Sequence, residues 1–303
     1  VVNVRIYRDK DHDALLRLMR VTLNIEVDNA YVEGLILDSA NIWLASVSEE
    51  ESLAGFCRLV PDEETQARRR KCMDILSIRG DVDRISVGGA LITAVRENSD
   101  PKKYDGIWGY LTEPLGPNFL DATCGVLLRE VRLFRNDQIE DFPPPMLPKR
   151  YRLRSLSLPS DLELASGIYN DTFSNMWNFR SHGTADVAHW FQRGELGAQD
   201  CLILTYRGEG CSPEDGVGIA VLAVDAARLK NSDQVGYVPD IGIVETYRRK
   251  GLGKVLMYAI AKRAKERGLA AIELLADDRD LTAKSFYRSL GFSEMGIFMV
   301  YEW

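Results

Sequence analysis

The chain has 303 residues, 46% hydrophobic and 27% charged, with a formal net charge of −7 and a pI near 5.2. That length exceeds one ordinary hydrophobic core, so two folded domains of roughly 150 residues each are expected. The acid excess argues against a general nucleic-acid binder, the longest apolar run (217–224) is far short of the roughly 20 residues a membrane-spanning helix needs, and five cysteines without CxxC spacing and three histidines point to no disulfide framework and no metal site.

The start, Val1-Val2-Asn3-Val4-Arg5, carries no basic-then-apolar signal pattern, which points to the cytoplasm. A strand around Val4-Arg5-Ile6-Tyr7 leads through Asp9 to Asp13 into an amphipathic helix over 14–23. Two strands follow at 41–47 and 53–59 across the acidic turn 48–51. The basic run Arg68-Arg69-Arg70-Lys71 comes after Asp62-Glu63-Glu64 and reads as a solvated loop. A further strand then meets a helix opening at Gly88-Gly89. Four prolines at 143, 144, 145 and 148 forbid helix interior and mark a boundary. Beyond it the order repeats: a strand at 151–154, Pro159-Ser160-Asp161, a helix over 162–169, then strands at 201–206 and 217–224. Two copies of one α/β unit are the economical reading.

In the second copy, 240–244 is a short apolar strand. After the turn Glu245-Thr246-Tyr247 comes Arg248-Arg249-Lys250-Gly251-Leu252-Gly253-Lys254. Apolar residues then recur at helical spacing (Val255, Leu256, Ala259, Ile260), and Gly268 sits where a glycine ends a helix. The glycines therefore occupy a strand-to-helix corner. Such a corner suits phosphate: unpaired N–H groups and the helix dipole point at the ligand, and glycine removes the Cβ atoms that would hold it off. A strand at 270–276 and the segment from Asp280 through Ala283, Phe286 and Tyr287 to Gly291-Phe292 follow.

These two segments, in this order, resemble the GNAT superfamily of acetyl-CoA-dependent N-acetyltransferases. Arg248, Gly251 and Gly253 match its Gln/Arg-x-x-Gly-x-Gly/Ala loop. Ala283, Phe286, Tyr287, Gly291 and Phe292 match its later Asn-x-x-Ala-x-x-apolar-Tyr helix ending in Gly-Phe, with Asp280 in the asparagine position. The resemblance covers 153–303, and the two-domain length is similar to tandem members of the mycothiol synthase type. It implies an α/β fold of two tandem GNAT-like domains, each a mixed, mostly antiparallel sheet flanked by helices. Their expected extents are 1–142 for a degenerate copy, 143–150 for a proline-rich linker and 151–303 for the acetyltransferase.

It also implies acetyl-CoA as co-substrate and a primary amine of a small molecule as acceptor. Ile241, Gly242 and Ile243 would line the pantetheine arm. Arg248, Arg249, Lys250, Gly251, Leu252, Gly253 and Lys254 would hold the pyrophosphate, with Asp280 also at the coenzyme. Tyr287 would be the general acid. The position that carries a basic glutamate in several members is Tyr237 here, which leaves Asp240 as candidate base, directly or through water; Glu245 is expected to face solvent. Aromatic and polar residues at 169–173 and 176–182 are candidates for the acceptor pocket. The first copy departs from the motif: Ile85 stands in the Gln/Arg position and 116–135 holds no tyrosine. It either binds coenzyme through Arg84 and the Gly88-Gly89 amides or only supports its partner. A non-catalytic acyl-CoA-binding or regulatory module is the alternative function.

Overall fold

The structure, a computed structural model, describes residues 2–23, 42–47, 52–60, 70–100, 102–142, 144–191, 197–208, 215–224 and 234–303. The acidic turn 48–51, Arg68, Arg69, Pro143 and Cys211 lie outside the described residues. Among those described, no helix is long and apolar enough to cross a membrane. The chain divides into two compact units, Val1–Val131 with Gly296–Trp303, and Arg132–Met295.

The first unit contains β1 (Val2–Ile6), α1 (His12–Thr22), β2 (Ile42–Val47), β3 (Leu53–Val60), β4 (Arg70–Ile78), α2 (Arg84–Glu97), β5 (Gly106–Leu111), α3 (Pro117–Thr123) and the start of β6 (Val126–Asn136). The second adds β7 (Tyr151–Ser155), α4 (Leu162–Phe173), α5 (Thr184–Trp190), β8 (Cys201–Tyr206), β9 (Asp215–Val221), β10 (Val235–Tyr237), β11 (Ile241–Ile243), α6 (Leu252–Glu266), β12 (Ala271–Asp277), α7 (Leu281–Ser289) and the start of β13 (Ser293–Glu302). Strand order in the first unit is β1-β2-β3-β4-β5-β13, antiparallel except for the parallel β4–β5 pair. In the second, β6-β12-β10 contains the parallel β10–β12 pair, and β11-β9-β8-β7 is antiparallel throughout. This is the mixed, mostly antiparallel α/β architecture expected.

The internal repeat extends to side chains. Asp11 binds the Arg5 guanidinium at 2.5 and 2.7 Å and accepts from the Arg8 amide at 2.9 Å at the entry to α1. Asp161 binds Arg154 at 2.5 and 2.9 Å and accepts from the Ser157 amide at 2.8 Å at the entry to α4. In both copies the carboxylate ties the first strand to the helix that follows, and its bound arginine holds its pKa below the usual carboxylate range.

The division differs from the linker-based expectation at two places. Met299, Val300, Tyr301 and Glu302 pair antiparallel with β5 at Leu111, Tyr110, Gly109 and Trp108. Trp303 exchanges backbone hydrogen bonds with Ile107 (3.0 Å each way) and donates its indole N–H to Thr123 Oγ1 at 3.0 Å. Met299, Tyr301 and Trp303 are thereby buried in the first unit's core with Trp43, Leu91 and Phe119. Conversely Phe134 and Ile139 belong to the second unit's core with Leu204, Leu256, Ile260 and Ile272. The units therefore part at Val131 and again at Met295, and not at the prolines, because strand pairing rather than chain stiffness assigns these segments.

Helix α6 ends as its sequence suggests. Gly268 has φ 76°, its N–H bonds Lys265 O at 2.9 Å, and the Leu269 N–H bonds Ala264 O at 3.0 Å.

Candidate active site at a splayed strand pair

Val235, Gly236 and Tyr237 of β10 pair in parallel with Ala271, Ile272 and Glu273 of β12. The Val238 N–H still reaches Glu273 O at 2.8 Å. Pro239, which cannot donate to a ladder, follows, and when the strand resumes as β11 its described partner is β9. A wedge thus opens between β11 and β12. Asp240 O accepts from Val221 and the Val244 N–H donates to Val217 O, both at 2.8 Å. Positions 240, 242 and 244 therefore bond β9, and the backbone groups of Ile241 and Ile243 point the other way, across the wedge.

Gly242 has a separate reason to be glycine. A Cβ there would lie 2.3 Å from Thr172 Cγ2 and 2.9 Å from the Phe173 ring, so the end of α4 rests directly on this strand. The aromatic stretch expected near the acceptor packs beside it: Tyr169 lies 4.8 Å from Phe173, 4.6 Å from His182 and 5.0 Å from Trp190, centroid to centroid. Phe179 joins this cluster, whereas Met176 is exposed.

The loop after β11 turns twice through left-handed backbone, at Arg249 (φ 61°) and Gly251 (φ 79°), before α6 begins. Among the described residues, none of the amides of Arg249, Lys250, Gly251, Leu252 and Gly253 finds a backbone acceptor. Alternation of left-handed and ordinary backbone at a helix start makes a concave row of such amides, fitted to an anion. Nothing lies within 4 Å of where a Gly251 Cβ would be, whereas a Gly253 Cβ would sit 3.2 Å from the Phe286 ring. Arg248 does not aim at this row: its Nε donates to Ile243 O at 2.8 Å and its Nη2 to Thr172 O at 3.3 Å. It fastens the loop to β11 and α4. Arg249 is exposed, and Lys250 lies 5.0 Å over the Tyr247 ring. Lys254 lines a cavity of about 320 Å³ with Asn136, Phe142, Pro144, Ser289 and Leu290.

Asp280 caps α7, its Oδ1 accepting from the Ala283 N–H at 2.8 Å, so this carboxylate is used within the fold. Tyr287 is buried among Phe134, Phe286 and Phe292, with centroids 5.5–5.8 Å away. Burial first, then the negative charge of Asp280 and of Asp240, pushes its hydroxyl well above the ordinary phenol range. Tyr237 is pushed up to about 12 by burial and by Asp240 and Glu273. Burial first, then the charges of Asp240 and Asp161, pushes the Cys201 thiol up to about 12, which disfavours its thiolate. Asp240, Tyr237 and Tyr287 thus lie within electrostatic reach of one another, together with two residues that sequence reasoning passed over: Glu273, 8% exposed, and Arg135, whose Nη1 meets Glu273 Oε1 at 3.1 Å. A lone carboxylate inside the apolar strand Ala-Ile-Glu-Leu-Leu-Ala was the available signal.

The corresponding corner of the first unit is filled by the chain itself. Asp83 caps α2, accepting from the Ile85 N–H at 3.1 Å and from the Ser86 hydroxyl. A Cβ on Gly88 would come within 2.4 Å of the Phe119 ring, so that glycine admits a side chain, not a ligand.

The acetyltransferase (GNAT) family model matches residues 166–292. The chain is 42% identical over 55 residues to L-ornithine N5-acetyltransferase of Arabidopsis thaliana; that stretch is 18% of this chain and spans about a quarter of the relative (24%). It is 22% identical over 231 residues to mycothiol acetyltransferase of Parafrankia sp., 72% of this chain and 71% of that one. In structure, a GCN5-related N-acetyltransferase from Sphaerobacter thermophilus superposes with a TM-score of 0.75 at 14% identity, covering 100% of this chain and 95% of its own. A tandem GNAT protein from the clavulanic acid biosynthesis pathway does so at 0.67 and 13%, covering 100% and 98%.

Proposed function

Residues 166–292 belong to the GNAT family of acetyltransferases, and from that premise we propose that this chain is an N-acetyltransferase moving an acetyl group from acetyl-CoA to a primary amine of a small molecule. The observation that carries this reading is the wedge between β11 and β12 with an open row of amides at its end. Acetyl-CoA, when bound, supplies the acetyl group and a thiolate leaving group. The Ile241 backbone and the Ile243 N–H are placed to pair with an extended arm carrying amides, the Ile243 carbonyl being taken by Arg248. The Arg249–Gly253 amides, with the charges of Arg249 and Lys250, are placed to hold a diphosphate. Arg248 keeps loop and strand in register, and Asp280 keeps α7 in position.

Tyr287, raised well above the ordinary phenol range, stays protonated at neutral pH. It is a proton donor there and not a base. Asp240 contributes negative charge beside Tyr237, which favours an acceptor that arrives as an ammonium ion; the chain's net charge of −7 acts in the same direction. With Cys201 held as a thiol, direct attack by the amine is the route these residues support. The first unit, its helix start capped by Asp83, holds no coenzyme in this reading and serves the fold.

Thiol release from acetyl-CoA against a panel of small amines tests the proposal. Release with at least one amine, and formation of the matching acetamide, is expected; acetyl-CoA binding without turnover on every amine overturns it. That second outcome is what a binding or regulatory module would give, and the tyrosine at position 237 is the observation in its favour.

A further inference from the structure

The two units carry the same pair of residue types at the mouth of the splay, on exchanged strands. The same separation in sequence relates Ile85 to Arg248, Gly88 to Gly251, Asp74 to Tyr237 and Tyr110 to Glu273. In the first unit β4 is paired with β5 from Arg70 to Met73, while its pairing with β3 continues to Ile78. One step past the last β5 pair, Met73 and Gly109, stand Asp74 on β4 and Tyr110 on β5. In the second unit the last parallel pair is Tyr237 on β10 and Glu273 on β12. Each carboxylate is braced by an arginine from the next strand outward: Asp74 by Arg58 of β3, Nε to Oδ1 at 3.0 Å, and Glu273 by Arg135 of β6 at 3.1 Å. The second unit has therefore not lost the carboxylate of its splay. That carboxylate stands one strand across from its position in the first unit.

The face fits a proton acceptor. Ile272 and Leu274 pack with Tyr287 in the core under α6 and α7, so Glu273, between them on β12, points to the opposite face. Phe134 and Arg135 alternate in the same sense on β6. Base and acid would thus address the wedge from its two sides.

Resting on the function proposed above, we propose that Glu273 is the proton acceptor for the amine, in place of the glutamate absent at position 237. The ammonium gives one proton to the Glu273 carboxylate, directly or through one water. The neutral nitrogen then forms the N–C bond to the acetyl carbonyl as the C–S bond breaks, and the departing thiolate takes a proton from Tyr287, which recovers it from the acetylated nitrogen. Glu273 returns its proton to solvent. The charged and titratable groups facing Glu273 include Arg135 from β6 and Tyr237 from β10, with Asp240 beyond Tyr237.

The test compares wild type, Glu273→Gln, Glu273→Asp and Asp240→Asn by thiol release across pH, alongside acetyl-CoA affinity by calorimetry and thermal melting. Glu273→Gln is expected to lower kcat by about 100-fold and to abolish the fall in kcat/KM toward low pH, with acetyl-CoA affinity unchanged. Glu273→Asp recovers part of the rate and the low-pH limb, and it decides the matter if the glutamine variant does not fold. Wild-type kcat and an intact limb in Glu273→Gln, or loss of that limb in Asp240→Asn alone, overturns the assignment while leaving the acetyltransferase reading in place. A wild type that turns over no amine overturns both.

Discussion

Replacing Tyr287 with phenylalanine separates chemistry from architecture, because only one oxygen is removed. The ring contacts to Phe134, Phe286 and Phe292 at 5.5–5.8 Å survive the change. Loss of a single hydroxyl costs the fold about 1 kcal/mol or less, a melting shift of a few degrees for a unit of this size. If the hydroxyl donates to the leaving thiolate, a general acid worth about 100-fold is lost, or about 2.7 kcal/mol of barrier at 1.36 kcal/mol per decade. The phenol's pKa is raised, so the proton needed for donation is present at neutral pH and is lost only as pH climbs past the ordinary tyrosine value of about 10. The wild-type rate should therefore show no decline attributable to this group between pH 7 and 9. Steady-state thiol release with saturating acetyl-CoA, with calorimetric affinity in parallel, measures both quantities. A variant with wild-type kcat refutes the reasoning; equal loss of kcat and acetyl-CoA affinity shows that Tyr287 shapes the site and does not donate.

Gly251→Val forces a β-branched residue into φ 79°, about 1–2 kcal/mol of backbone strain, with open space around the new side chain; acetyl-CoA affinity should fall at least tenfold in calorimetry with folding retained, and unchanged affinity removes the loop from the site. Titration of the intact chain should give one acetyl-CoA per chain, since Asp83 occupies the α2 start; two sites would show that this cap opens. Trp303→Ala removes a side chain buried in the first unit's core and its bond to Thr123, costing about 3–5 kcal/mol and lowering the melting temperature on the order of 10 °C. A melting curve within a degree of wild type would mean that the last strand does not belong to that core.

Much of this protein is written locally. Apolar spacing and a terminal glycine sufficed for α6, since a helix satisfies its backbone within its own segment and Gly268 alone takes φ 76° there without strain. The glycine corner before α6 and the Tyr287 helix were legible for the same reason: glycines, a cap and a periodic face act over a few residues. What the tertiary structure decided is non-local. A strand's N–H and C=O groups must find partners on another segment, and no pattern within 132–142 or 296–303 states which one, so the interchange of terminal strands between units emerged only from pairing. Arg248 had the composition of an anion ligand, yet folding brought the Ile243 and Thr172 carbonyls within its reach, and their hydrogen bonds claimed it. Glu273 lies in an apolar strand that sequence reads as plain core; its register with Tyr237 and the arrival of Arg135 from another strand turn that carboxylate into the counterpart of Asp74. Residue type and spacing determined which reactive groups the chain carries, while the alternation of faces across paired strands decided which side of the sheet each group occupies.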